Sequence, residues 1–97
     1  MKNLLIIGTQ ELNVLLAKMK LEFDTLVALF RLDTNGIKLL NKTHTTWENY
    51  VEAELKLTEH NWAGNAAQAL HVNARHQELV INYIKELIKK LEFESTK

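Results

Sequence analysis

Four histidines, two tryptophans and a scatter of carboxylates are the residues of this chain whose chemistry extends beyond packing. Histidines that share a metal ion on one helix stand three or four residues apart, so that both imidazoles point at it. His71 and His76 are five apart and face different ways, and His44 and His60 are separated by more than four turns. His44 and Glu48 do have the i, i+4 spacing, which on a polar helix face reads as a surface contact. No Glu-x-x-His pair of the kind that builds a di-iron bundle occurs. The expectation is therefore no metal site, with a histidine-based metal-binding bundle kept as a third alternative.

Nucleophilic and redox chemistry have no starting point. The chain has no cysteine, which excludes disulfides and thiolate ligands, and its single serine, Ser95, lies in the tail. There is no glycine-rich phosphate loop. The carboxylates fall mostly opposite the apolar stripes described below, where solvation is the expected role. Twelve basic residues balance twelve acidic ones, so there is no sustained positive field for a nucleic-acid backbone. No catalytic residue and no cofactor is expected, and the chain reads as a non-enzymatic protein.

The elements that must position these residues are marked off by glycine. The chain has no proline and only three glycines, Gly8, Gly36 and Gly64, and its 97 residues suffice for a single domain. The segments between them predict an all-α fold of three helices, at about 9–32, 37–60 and 66–93. That describes a three-helix antiparallel bundle, or a helical hairpin with an extra N-terminal helix. Thr9 is the expected N-cap of the first helix. Leu12, Leu15, Met19, Phe23, Leu26 and Phe30 form its apolar line, and a second line of Val14, Leu21 and Ala28 widens it toward another neighbour. The second helix carries Ile37, Leu40, Trp47, Val51 and Leu55 on one side, interrupted by His44 and widened by Tyr50, Ala53 and Leu57. In the third, Ala67, Leu70, Ala74, Gln77, Ile81, Ile84, Ile88 and Leu91 alternate three and four apart over more than three heptads. Asn65 and Gln68 form a capping-box variant at its start, and Lys89 and Lys90 suit the negative end of its dipole. Gln77 in that line fixes register or partner choice, or else lies at the rim.

Lys2 and the run Leu4 to Ile7 look like the start of a signal peptide, but four apolar residues fall short of the roughly seven that its core requires. No transmembrane segment is expected either. The expected location is the cytoplasm, with any export by a route that needs no conventional cleaved signal, unless such a signal had already been removed.

Trp62 stands at the end of the second helix, and Gly64 is placed to take the left-handed conformation that reverses the chain. A ring wedged at that joint buries apolar area, and its removal from a core costs about 3–5 kcal/mol. Trp62 and Gly64, followed by Ala66 and the heptad Leu70, Ala74, Ile81, Ile84, Ile88 and Leu91, resemble the W-x-G family of small helical-hairpin proteins associated with type VII secretion. The resemblance covers about residues 37–93. It implies a hairpin that pairs with itself, with a second hairpin as a heterodimer, or with the helical targeting region of a larger toxin, in a chaperone-like complex that is secreted together. The partner-binding residues it implies, together with the apolar line, are Trp62, Gly64, Leu70, Ala74, Gln77, Ile81, Ile84 and Ile88. Three features depart from the family: the motif lies nearer the C-terminus, a helix precedes the hairpin, and Tyr83 is followed by Leu87 where the export signal would have an acidic residue.

A second resemblance rests on Thr9-Gln10-Glu11-Leu12-Asn13, Trp47, Tyr50 and Ala53-Glu54, extended by Ile84 to Leu87. These are similar to the helical domain of bacterial lysozyme-inhibitor-like envelope proteins, although Leu55 stands where their first cysteine is expected. It implies an alternative role as an inhibitor that blocks an enzyme's cleft.

Overall fold

A computed structural model describes the backbone of residues 2–96 and the side chains of residues 10–96. The chain forms three α-helices, α1 (Lys2–Phe30), α2 (Thr34–Asn61) and α3 (Gln68–Thr96), and no strand among the described residues. The all-α three-helix prediction holds. Trp47 of α2 stacks on Tyr83 of α3, and Glu54 further along α2 meets Arg75 further back along α3, so these two helices run antiparallel. Leu12 packs with Val80 and Leu26 with Leu87, which makes α1 parallel to α3. The α1–α3 interface is the most extensive and the α1–α2 interface the least. Among the described residues no helix is long and apolar enough to cross a membrane.

Most boundaries shift from expectation by a few residues, with α2 starting at Thr34 and α3 running on to Thr96. α1 starts at Lys2 and runs through Gly8 and Thr9 without a break, so Gly8 ends no arm and Thr9 caps no helix. One glycine costs a helix about 1 kcal/mol relative to alanine, which the rest of a 29-residue helix absorbs. At its other end α1 stops at Phe30 because Arg31 takes φ 47°, the left-handed conformation that terminates helices. Leu32, expected inside the helix, lies in the turn at 95% exposure. α3 begins at Gln68 rather than Ala66.

The α1–α2 turn is built around Asp33, whose Oδ1 accepts a hydrogen bond from the Gly36 N–H at 2.8 Å and so caps α2. Gly36 thus lies in the first turn of α2 rather than closing the loop. A Cβ there would sit 2.5 Å from both the Asp33 carboxylate and the Phe30 ring.

Two buried clusters share the interior. Leu26, Leu40, Tyr83 and Leu87 form one, flanked by Phe23 and Phe30, and Leu12, Val80 and Ile84 form the other, flanked by Leu15, Leu16 and Ile88. Met19 and Trp47 pack against both and join them. The expected apolar lines of α1 and α2 are the ones that face inward. In α3 the most buried residues are Leu79, Val80, Tyr83, Ile84 and Leu87, so the inward face is turned away from the expected line, of which only Ile84 is fully buried. The physical reason is that α3 lies against both other helices and needs two adjacent apolar faces, whereas a three-four line supplies one. A straight helix also drifts by about 20° per heptad against such a repeat.

The turn makes a direct prediction for thermal or denaturant unfolding. Arg31→Gly removes the left-handed strain and raises stability by up to about 1 kcal/mol. Gly36→Ala lowers it by at least about 1 kcal/mol, because the cap or the Phe30 ring must move.

Candidate interaction surface

The polar and aromatic side chains singled out by sequence are held in three separate places. At the centre, the His44 Nδ1 lies 2.7 Å from the Tyr83 hydroxyl, and the Nε2 lies 3.7 Å from a Glu48 carboxylate oxygen. Tyr83 stacks on Trp47 with ring centroids 4.0 Å apart, and Phe23 closes over His44 at 4.4 Å. Burial, reinforced by the nearby Glu48 charge, pushes the Tyr83 phenol up to about 12, so its proton is present at neutral pH. His44 interrupts the apolar line of α2 because Tyr83 supplies it a polar partner inside the bundle.

At the hairpin bend, Gly64 takes φ 79°, as expected. A Cβ there would meet nothing within 4 Å, so glycine serves the backbone conformation rather than a close approach. The Asn65 Oδ1 accepts from the Ala67 N–H at 2.8 Å. Gln68, expected to complete a capping box, instead donates its amide to the Glu59 carbonyl at 2.7 Å and ties the end of α2 to the start of α3. Trp62 is not the expected core plug. It is 36% exposed and stacks on His71 with centroids 3.3 Å apart and planes 11° apart.

His76 occupies a core register of α3, two turns from Tyr83, and lines two cavities. One, of about 340 Å³, also has Leu12, Glu59 and Val72 on its walls; the other, of about 280 Å³, has Leu16, Trp47, Glu48, Val51 and Glu52. Desolvation by burial lowers its pKa from 6.5. Among the described residues no group of three or more histidines and carboxylates is arranged to hold a metal.

The residues expected to bind a partner are divided by the fold. Ile84 is buried and the half-buried Ile88 packs against the cluster of Leu12, Val80 and Ile84, so both contribute to the chain's own core. Leu70 is half-buried and Ala74 exposed. Gln77 lies at the rim, donating to the Asn73 side chain at 2.7 Å. Ile81, 38% exposed, and Gln77 line a groove of about 440 Å³ between α1 and α3, with Gln10, Glu11, Val14 and Leu15 on its other wall. The second apolar line of α1 joins neither buried cluster: Val14, at the outer edge of that groove, is 69% and Leu21 65% exposed, and Ala17 and Ala28 are exposed beside them. At 100° per residue these four lie within about 40° of the direction opposite Leu12, on the back of α1. This surface was visible in the sequence as a seven-residue repeat, but its spacing alone did not tell an inner neighbour from an outer one.

Compared with protein-family models, curated proteins and solved structures, the chain gives no significant match.

Two outcomes follow from the geometry. Because the folded chain takes up the His76 proton at lower pH than the unfolded chain, stability is intact above about pH 6.5 and declines as the pH falls below it. Denaturant titrations at several pH values on the wild type and His76→Leu check this, and the variant should lose part of that decline. Trp62→Ala should cost about 1 kcal/mol, the value of an exposed ring stack, rather than the loss expected of a core ring.

Proposed function

We propose that this chain is a non-enzymatic helical binding protein that pairs with another helical protein through apolar surface its own bundle leaves uncovered. The observation that carries this reading is the back of α1, where Val14 and Leu21 stand open to solvent opposite the buried Leu12 and Leu26. A helix apolar on two opposite faces has more to bury than one bundle covers. The accessible surface is 6949 Å², against about 5,700 Å² for a compact monomer of 11.2 kDa. The radius of gyration is 15.9 Å, where a compact chain of this length has about 12.5 Å. Both describe a long bundle with a small core, a shape that offers extended helix faces to a helical partner.

The α2–α3 hairpin, with Trp62 and Gly64 at its bend, supports placing the chain near W-x-G secretion partners. In that reading Trp62, Gly64, Leu70, Ala74, Gln77 and Ile81 form the partner-facing edge, while Ile84 and Ile88 hold the hairpin to α1. Pairing with a co-exported helical protein or toxin segment is the role this describes.

Co-expression with the products of neighbouring genes, followed by size-exclusion chromatography with light scattering, tests the reading. The expected outcome is a stable complex that Ile81→Asp weakens while leaving the helical content intact. A monomer of 11.2 kDa that takes up no helical protein would remove its basis.

A further inference from the structure

The back of α1 is complementary to itself, and this identifies an occupant for it. Val14, Ala17, Leu21 and Ala28 make a stripe about 21 Å long at 1.5 Å per residue. When two such stripes are laid antiparallel about a two-fold axis at Leu21, Leu21 meets Leu21 of the second copy. Val14 then faces Ala28 of the second copy, and Ala17 faces its Thr25, so the larger side chain lies opposite the smaller at both ends.

The flanks agree with the same register. Asp24 lies beside the stripe, about 60° from the direction opposite Leu12, with Lys20 one turn earlier and further round on the same flank, and the two-fold axis brings Lys20 of each copy within about 3 Å, along the axis, of Asp24 of the other. Among the described residues neither has an ion-pair partner within its own chain. The formal net charge is zero, so two copies approach without net repulsion.

We infer that two copies of this chain associate through the outer faces of α1, antiparallel, with Leu21 on the two-fold axis and Lys20 paired to Asp24 across it. This rests on the reading of the chain as a helical binding protein and names one partner and the surface it uses. Such an interface is isologous and closes at two copies.

Sedimentation equilibrium of the full chain over a wide concentration range is the test, with circular dichroism to verify folding. The wild type should reach twice 11.2 kDa, and Leu21→Asp should raise the dissociation constant roughly 100-fold or more without loss of helix, since Leu21 is 65% exposed and belongs to neither buried cluster. Lys20→Asp and Asp24→Lys should each weaken the dimer, and an equimolar mixture of the two should restore it as a heterodimer, because every cross-pair is then opposite in charge. A wild type that stays monomeric while taking up a different helical protein would overturn the inference and leave the binding reading standing. A dimer indifferent to Leu21→Asp, or a mixture that forms no heterodimer, would overturn it as well.

Discussion

The bundle depends on the contact between Tyr83 and the pair His44 and Trp47. α2 has the thinnest apolar stripe of the three helices and touches α1 least, so its position is set by what it makes with α3. The stack of Trp47 on Tyr83 and the 2.7 Å hydrogen bond between Tyr83 and His44 supply that contact, with Phe23 closing it from α1. An aromatic pair adds about 0.5–1.5 kcal/mol beyond its area burial. The hydrogen bond adds direction, because a hydroxyl buried among apolar rings has a steep cost unless its partner is in place. Together they fix the rotation of α2 about its own axis, which its leucines and valine alone would leave loose. Arg75 bridging Glu54 and Glu78 repeats the constraint nearer the bend, with the smaller energy of a half-exposed pair.

That constraint also decides which face of α3 turns inward. A line read from isoleucine and leucine spacing runs through Gln77, Ile81, Ile84 and Ile88, and it predicts a seam for one partner. Tyr83, polar at one end, was not in that line, yet its ring is among the most buried in the chain. Placing Tyr83 against α2 and Ile84 against α1 leaves Ile81 at the edge. The three helices, the inward faces of α1 and α2 and the left-handed Gly64 were legible in the sequence because each follows from a local rule of period or backbone conformation. The rotation of α3, the exposure of Trp62 and the fate of Val14 and Leu21 were not. Each depends on which neighbour occupies which side, and no single-helix pattern contains that information.

The ends of the helices show the same division. Gly36 was visible as a boundary between helices, but the cap that Asp33 gives its N–H depends on α1 stopping at a left-handed Arg31, which nothing in the residue type announces. Gln68 was read as a cap for its own helix and instead satisfies a carbonyl at the end of α2. The bend is therefore secured from both sides by polar groups, and Trp62 is left at the surface against His71. A ring at that place adds contact area outside the core, at the end of the molecule where the hairpin edge begins.

Three helices of 28 or 29 residues are long for a chain of 97, and length works against a closed core. Lengthening an antiparallel bundle adds surface nearly in proportion to volume, whereas a rounder fold buries a growing fraction. The cavities beside His76 and the groove at Ile81 follow from this shape, because three cylinders in contact enclose little when one of them stands off along part of its length. A protein under selection only for its own stability would place polar residues on the back of α1, as α2 does with Lys42, Asn49 and Lys56. Val14, Ala17, Leu21 and Ala28 occupy that position instead, flanked by charges of both signs. Each exposed leucine or valine forgoes about 1.5–3 kcal/mol of burial, and a second helix laid along this face recovers it. The outer face of α1, like the exposed Leu39, Tyr50 and Leu57 of α2, thus carries apolar side chains that the chain's own core does not use.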